Sequence, residues 1–175
     1  LALKGSSCLS ILISSIEHDA VLEAVPEASR IMVSEGGLLD LEHLEVLLKE
    51  ASKPTLISVM WANNETGVIQ PIEAVTNLAS DFDALVHVDA VQALGKLPIN
   101  FLNSGIDMLS ISAHKIGGPT GVGALIIRDD LNLKPIIVGG GQERGRRSGT
   151  ENLSGIAGFG AAADACSKQK DANKK

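Results

Sequence analysis

No stretch of this chain strings together the roughly 20 apolar residues that a bilayer-spanning helix needs, so no membrane span is predicted. An excess of basic charge is also missing. The formal net charge is −6, which argues against a protein that grips a nucleic-acid backbone. Arg144, Arg146 and Arg147 form only a local basic cluster. Cysteine is scarce. Cys8 and Cys166 are the only two, far apart and without metal-ligand spacing, and lone thiols suit a reducing cytoplasm. The opening Leu1-Ala-Leu-Lys4 lacks the basic start, apolar core and cleavage site of a secretory leader. Internal repeats and low-complexity linkers are absent too. The chain has no initiator Met and closes on the polar run Lys168 to Lys175, so a piece of a longer protein is expected.

What is present is a balance of 45% hydrophobic and 21% charged residues over 175 positions, enough for one globular domain. Short apolar runs alternate with helical patterns. Strands are expected at Leu9–Ser14, Arg30–Val33, Thr55–Trp61, Leu85–Val88, Met108–Ile111 and Gly123–Ile127. Nearly continuous apolar strands imply a sheet covered on both faces. Leu41, Leu44, Leu47 and Leu48 share a helical face behind the capping residue Asp40. Ile72, Val75 and Ala79 mark a second stripe behind Pro71, and the Ala- and Gly-rich segment Asn152–Lys168 is a third helix. The alternation predicts an α/β fold of three layers, a mostly parallel sheet with helices on both faces and right-handed crossovers. The last strand is expected to run antiparallel, because the Gly117-Gly-Pro-Thr-Gly121 turn is too short for a crossover helix.

In such a sheet, ligands sit beyond the carboxyl ends of the strands. That rule gathers Asn63-Asn64-Glu65, Asp89 with Gln92, and Ser112-Ala-His114-Lys115 at one edge. A lysine and a carboxylate at neighbouring strand ends suit pyridoxal 5′-phosphate. The amine forms a Schiff base with the aldehyde, and the carboxylate keeps the pyridine nitrogen protonated. Asp89 also suits a plain helix N-cap, and Asn63-Asn64-Glu65-Thr-Gly67 a plain tight turn. His87, inside a strand, is expected to be packed. The run Gly139-Gly-Gly141 lacks the Gly-Lys-Ser/Thr of a P-loop.

The segments His87-Val-Asp89-Ala-Val-Gln92, Ser112-Ala-His114-Lys115 and Gly139-Gly-Gly-Gln-Glu-Arg144-Gly-Arg-Arg-Ser-Gly-Thr150 resemble the cysteine desulfurases. These are class V members of the fold-type-I pyridoxal phosphate enzymes. The resemblance runs from about Leu9 to about Cys166. It implies Lys115 as the cofactor-bearing lysine and proton carrier, and Asp89 as the partner of the pyridine nitrogen. It implies Gln92 on the phenolic oxygen, and Ser112 and His114 on the phosphate. It also implies His18 stacked on the ring as a catalytic lid, and Asn64 near the cofactor and the substrate carboxylate. Thr150 would reach the phosphate of the partner subunit in a homodimer. L-cysteine is the implied substrate, with alanine and an enzyme persulfide as products. Delivery would go to a sulfur-acceptor or scaffold protein for iron–sulfur cluster assembly or other uses.

Three features of the family have no match here: the upstream Gly-Thr phosphate turn, the nucleophilic cysteine and a carboxylate-binding arginine. Residues 1–175 are therefore expected to be the central part of the cofactor-binding large domain, inactive alone, with Cys8 and Cys166 structural. Ala113 and Thr120 replace the Gly and Lys commonest in the family. Selenocysteine lyase, another class V aminotransferase or lyase, and an inactive fragment that binds no cofactor are the alternative readings.

Overall fold

The computed structural model describes residues 2–172. The end of the polar tail, 173–175, lies outside the described residues. Six strands run in chain order: β1 (Ser10–Ser14), β2 (Ser29–Ile31), β3 (Thr55–Met60), β4 (Leu85–Asp89), β5 (Met108–Ser112) and β6 (Gly123–Ile127). Among the described residues, five α-helices join and cover them: α1 (Ala2–Gly5), α2 (Asp19–Leu22), α3 (Leu41–Glu50), α4 (Ile72–Asp81) and α5 (Leu153–Ala172). One sheet has the order β2-β1-β3-β4-β5-β6. All neighbouring pairs are parallel except β5 and β6, which pair antiparallel. The expected α/β fold and its antiparallel last strand are both present.

Side chains alternate faces along a strand, and here the alternation separates two cores. Ile57, Val59, Val86, Val88 and Leu109 face one side, against Leu44 and Leu48 of α3 and Ile72, Val75 and Ala79 of α4. Ile13, Leu56 and Met108 face the other, against Ala2 and Leu3 of α1 and Val21 of α2. Every residue of β3 is buried, as a strand covered on both faces must be.

Local signals account for the helix ends. Asp40 Oδ1 accepts from His43 N–H at 2.9 Å, which satisfies one orphan donor at the start of α3. Pro71 stands directly before α4. The short helices α1 and α2 escape sequence reading, because four residues are too few to show a period. Small residues let α5 approach the turn after β5. A methyl group built on Gly158 would lie 2.5 Å from the Pro119 ring, and one on Gly118 would lie 3.2 Å from the Ala162 methyl. Among the described residues, no helix is long and apolar enough to cross a membrane.

Candidate active site

The four adjacent strands β1, β3, β4 and β5 all point the same way, so their carboxyl ends share one edge. At the usual strand spacing these four ends span roughly 15 Å. His18 follows β1, Asn64 follows β3, Asp89 ends β4 with Gln92 just beyond it, and Ser112 ends β5 ahead of His114 and Lys115. Seven of the eight predicted site residues therefore gather on one edge. The exception is Thr150, exposed in the loop before α5. Arg147 ties that loop to itself, with its guanidinium 2.6 Å from the Gly149 carbonyl oxygen and 3.1 Å from the Glu143 carboxylate.

Each turn is built to present its polar group. His18 caps α2, and its Nδ1 accepts from Ala20 N–H at 3.1 Å. With Nδ1 accepting, the neutral ring carries its proton on Nε2, free for another partner. The Asn63 side chain organises the turn after β3. Its Oδ1 accepts from Glu65 and Thr66 N–H at 2.9 and 2.8 Å, and its Nδ2 donates to the Ile16 carbonyl at 3.0 Å. Asn63 is buried, whereas Asn64 is displayed with its Nδ2 2.6 Å from Glu65 Oε1.

Asp89 is half-buried, and its Oδ1 accepts from Val91 N–H at 2.9 Å. Its Oδ2 has no hydrogen-bond partner among the described residues. Burial raises its carboxyl above the usual range, opposed by the Val91 N–H and by His18. Gln92 Oε1 accepts from Lys96 Nζ at 2.7 Å.

Beyond β5, the buried Ala113 anchors a short 3-10 helix, Ala113–Ile116, which closes at Gly117 in a left-handed conformation, φ 82°. That anchor leaves His114 and Lys115 exposed. Ser112 Oγ and His114 Nδ1 lie 2.8 Å apart. Lys115 Nζ has no hydrogen bond or ion pair among the described residues. Cys166, on α5, braces this helix from behind through Sγ–H to the Ile116 carbonyl at 3.8 Å.

Sequence reasoning missed one group at this edge, Glu17. Its side chain is 5% exposed, and Oε1 accepts from Met60 N–H at the end of β3. Burial, opposed by that N–H and reinforced by the Asp89 carboxylate, pushes its carboxyl up to about 8. A glutamate beside a histidine reads as solvated surface, and no pattern in the sequence marks it as buried.

His87 is packed, as expected. It bridges three strands beneath Asp89, with Nδ1 2.8 Å from Ser58 Oγ and Nε2 2.8 Å from Ser110 Oγ. The strand-end cluster is an open shelf. A cleft of about 810 Å³ lies toward the opposite ends of β4 and β5, beside Asp107 and Arg128, and another of about 650 Å³ lies beside β6 and Phe159. Neither is lined by the cluster, and the chemistry argued from residue types favours the shelf.

The aminotransferase class-V family model matches residues 7–175. The chain belongs to that family. It is 45% identical over 161 residues to a cysteine desulfurase of Nostoc sp., a match spanning 88% of this chain and 40% of that protein. A NifS-like protein from Rickettsia africae superposes with a TM-score of 0.88 at 43% identity, covering 91% of this chain and 45% of the solved one. A structure described as SspA in complex with cysteine superposes with a TM-score of 0.78 at 40% identity, covering 89% of this chain and 47% of that one. The chain thus spans about 40% of the length of the curated relatives it matches.

Proposed function

We propose that this chain is the central part of the large domain of a pyridoxal 5′-phosphate-dependent cysteine desulfurase, which converts L-cysteine to L-alanine and leaves the sulfur as an enzyme persulfide. The observation that carries the reading is the placement of Asp89 at the end of β4 and Lys115 just beyond the end of the adjacent parallel β5, in a chain 45% identical to a protein of that activity.

The donor set fits the cofactor. Lys115 Nζ is unengaged, Asp89 keeps one carboxylate oxygen unengaged, and Ser112 with His114 offers anion donors. When bound, the cofactor supplies an electron sink for the electron pair left at the substrate Cα. Lys115 would hold the cofactor, and its amine would carry the Cα proton of cysteine. Asp89 would keep the ring nitrogen protonated. His18 would cover the ring, Gln92 would hydrogen-bond the phenolic oxygen, and Asn64 would border the substrate carboxylate. The nucleophilic cysteine lies outside this chain. Its thiolate takes the substrate sulfur, and the carbon that loses sulfur gains a proton to give alanine. Sulfur passes on to an acceptor or scaffold protein in the cytoplasm, for iron–sulfur cluster assembly or another use.

The test is to supply the full gene product with pyridoxal phosphate, L-cysteine and a thiol reductant. Equal release of alanine and sulfide is expected. Turnover of L-selenocysteine with none of L-cysteine would overturn the reading. Cys8→Ser and Cys166→Ser should each leave release within about twofold of wild type. Burial raises the Cys8 thiol, which keeps it from the reactive thiolate form, and Cys166 is engaged with Ile116. A large loss in either variant would make that thiol the sulfur acceptor.

The parent protein is a homodimer in this reading, with Thr150 reaching the partner's phosphate site. Losing one hydrogen bond to a charged group weakens cofactor binding roughly 10- to 100-fold. Mixed dimers of Lys115→Ala and Thr150→Ala protomers separate the two geometries. If Thr150 acts across the interface, one site carries both lesions and the other neither, and about half the wild-type activity survives with normal cofactor affinity. Two impaired sites would place Thr150 within its own subunit.

A further inference from the structure

Glu17 lies beneath the shelf, where the turn after β1 meets the ends of β3 and β4. Its backbone neighbour on one side, Ile16, is clamped by Asn63 Nδ2. On the other side His18 caps α2. Glu17 Oε1 is fixed by Met60 N–H, and Met60 sits in register with Asp89 across the β3–β4 pair. Glu17 Oε2 is buried with no hydrogen-bond partner among the described residues. A carboxylate in this position is expensive to ionise, because one oxygen has lost water and gained nothing. A like charge nearby adds to that cost, and Asp89 is that charge. Asp89 disfavours the charged form of Glu17, and His18 favours the charged form of Asp89.

We propose that Glu17 is a positioning residue for Asp89: it stays a neutral acid under the shelf, so that Asp89 alone carries the negative charge presented to the cofactor ring. The inference rests on the reading of Asp89 as the partner of the ring nitrogen. While Glu17 keeps its proton, Asp89 ionises beside a neutral neighbour and pairs with a protonated ring nitrogen. Once Glu17 loses the proton, two like charges crowd the β3–β4 edge, and both Asp89 and the ring nitrogen hold their protons more tightly. The electronic state of the bound cofactor therefore follows the protonation of a residue that does not touch it.

Glu17→Gln separates this role from a purely structural one. The amide keeps an oxygen for Met60 N–H and copies the neutral acid, so a residue that merely braced the turn would be fully replaced. The absorption spectrum of the bound cofactor is followed in the full gene product from about pH 6 to about pH 9, a range spanning the raised carboxyl of Glu17. At the acid end the variant should match wild type in spectrum and cofactor affinity. At the alkaline end wild type should show a step that the variant lacks or shows displaced by at least about one pH unit. The same step at the same pH in both proteins overturns the proposal. Carbon-13 labelling of the glutamate carboxyls gives a second reading in the cofactor-free wild type. It stays decisive if the variant fails to fold. A Glu17 midpoint in the ordinary carboxylate range near 4.5 overturns the proposal. A wild-type protein that takes up no cofactor refutes the functional reading and this inference with it. A protein that binds cofactor with no Glu17-dependent step refutes the inference alone.

Discussion

Lys115→Ala in the full gene product should abolish turnover of L-cysteine while leaving the cofactor bound only noncovalently. Two contributions disappear together. A positioned proton carrier supplies roughly 10²- to 10⁴-fold in rate, and the covalent attachment of the cofactor adds to that. The loss should therefore exceed roughly 10⁴-fold in kcat. The rival is Lys96, on the turn after β4, whose amine is 2.7 Å from Gln92 Oε1 and so already engaged. Borohydride reduction of the loaded wild type, followed by peptide mapping, decides between them. Label on the Lys115 peptide is expected, and label on the Lys96 peptide would sink the assignment. Lys96→Ala should keep covalent cofactor and most of the activity.

The fold should hold a nearly level stability between about pH 4.5 and 6.5, where two buried groups change it in opposite directions, and lose stability on both sides of that range. On the acid side the group is His87. Burial lowers its proton affinity from 6.5 to about 4, and both ring nitrogens lie within hydrogen-bond distance of serines. The unfolded chain takes up the proton first. Stability is therefore intact above 6.5 and falls as the pH drops toward 4, by roughly 3 kcal/mol in all. On the alkaline side the group is Glu17, raised from 4.5 to about 8. Here the folded state holds the proton more tightly. Stability is intact below 4.5 and is lost as the pH rises through 8, by roughly 5 kcal/mol at the limit. Both losses are large against the roughly 5–15 kcal/mol that holds a domain together. Asp89 and Asp107 shift in the same direction as Glu17 and add a loss that begins just above the usual carboxylate range. Urea unfolding across the pH range provides the check. Glu17→Gln should flatten the alkaline limb and uncover the His87-dependent rise up to about pH 6.5. His87→Gln should flatten the acid limb, at the cost of one of its two serine contacts. If either variant keeps its wild-type slope, the group assigned to that limb is wrong.

Most of the architecture was legible in the sequence because it follows from periodicity. The six apolar runs are the six strands, although the second is Ser29–Ile31 rather than Arg30–Val33. Leu44 and Leu48 face the core as their spacing requires, and Asp40 caps where its side chain predicts. The shared edge of His18, Asn64, Asp89, Gln92, Ser112, His114 and Lys115 also followed, since parallel strands send their carboxyl ends the same way. Ala113 illustrates the limit. In sequence it is a departure from a family motif, while in the fold it is the buried anchor that turns Lys115 outward.

By itself the sequence determined the sheet, the strand-end motifs and the family resemblance, because each rests on residue type and short-range spacing. Only the tertiary structure decided the state of the polar groups. Ser58, His87 and Ser110 stand 29 and 23 positions apart in pairs, and only strand register brings them into one buried chain. Glu17 and Met60 are 43 positions apart, and the bond between them places a carboxyl out of water beside Asp89. The reason is the same in each case. Burial and charge proximity depend on what surrounds an atom in space, and chain order does not carry that information across a sheet.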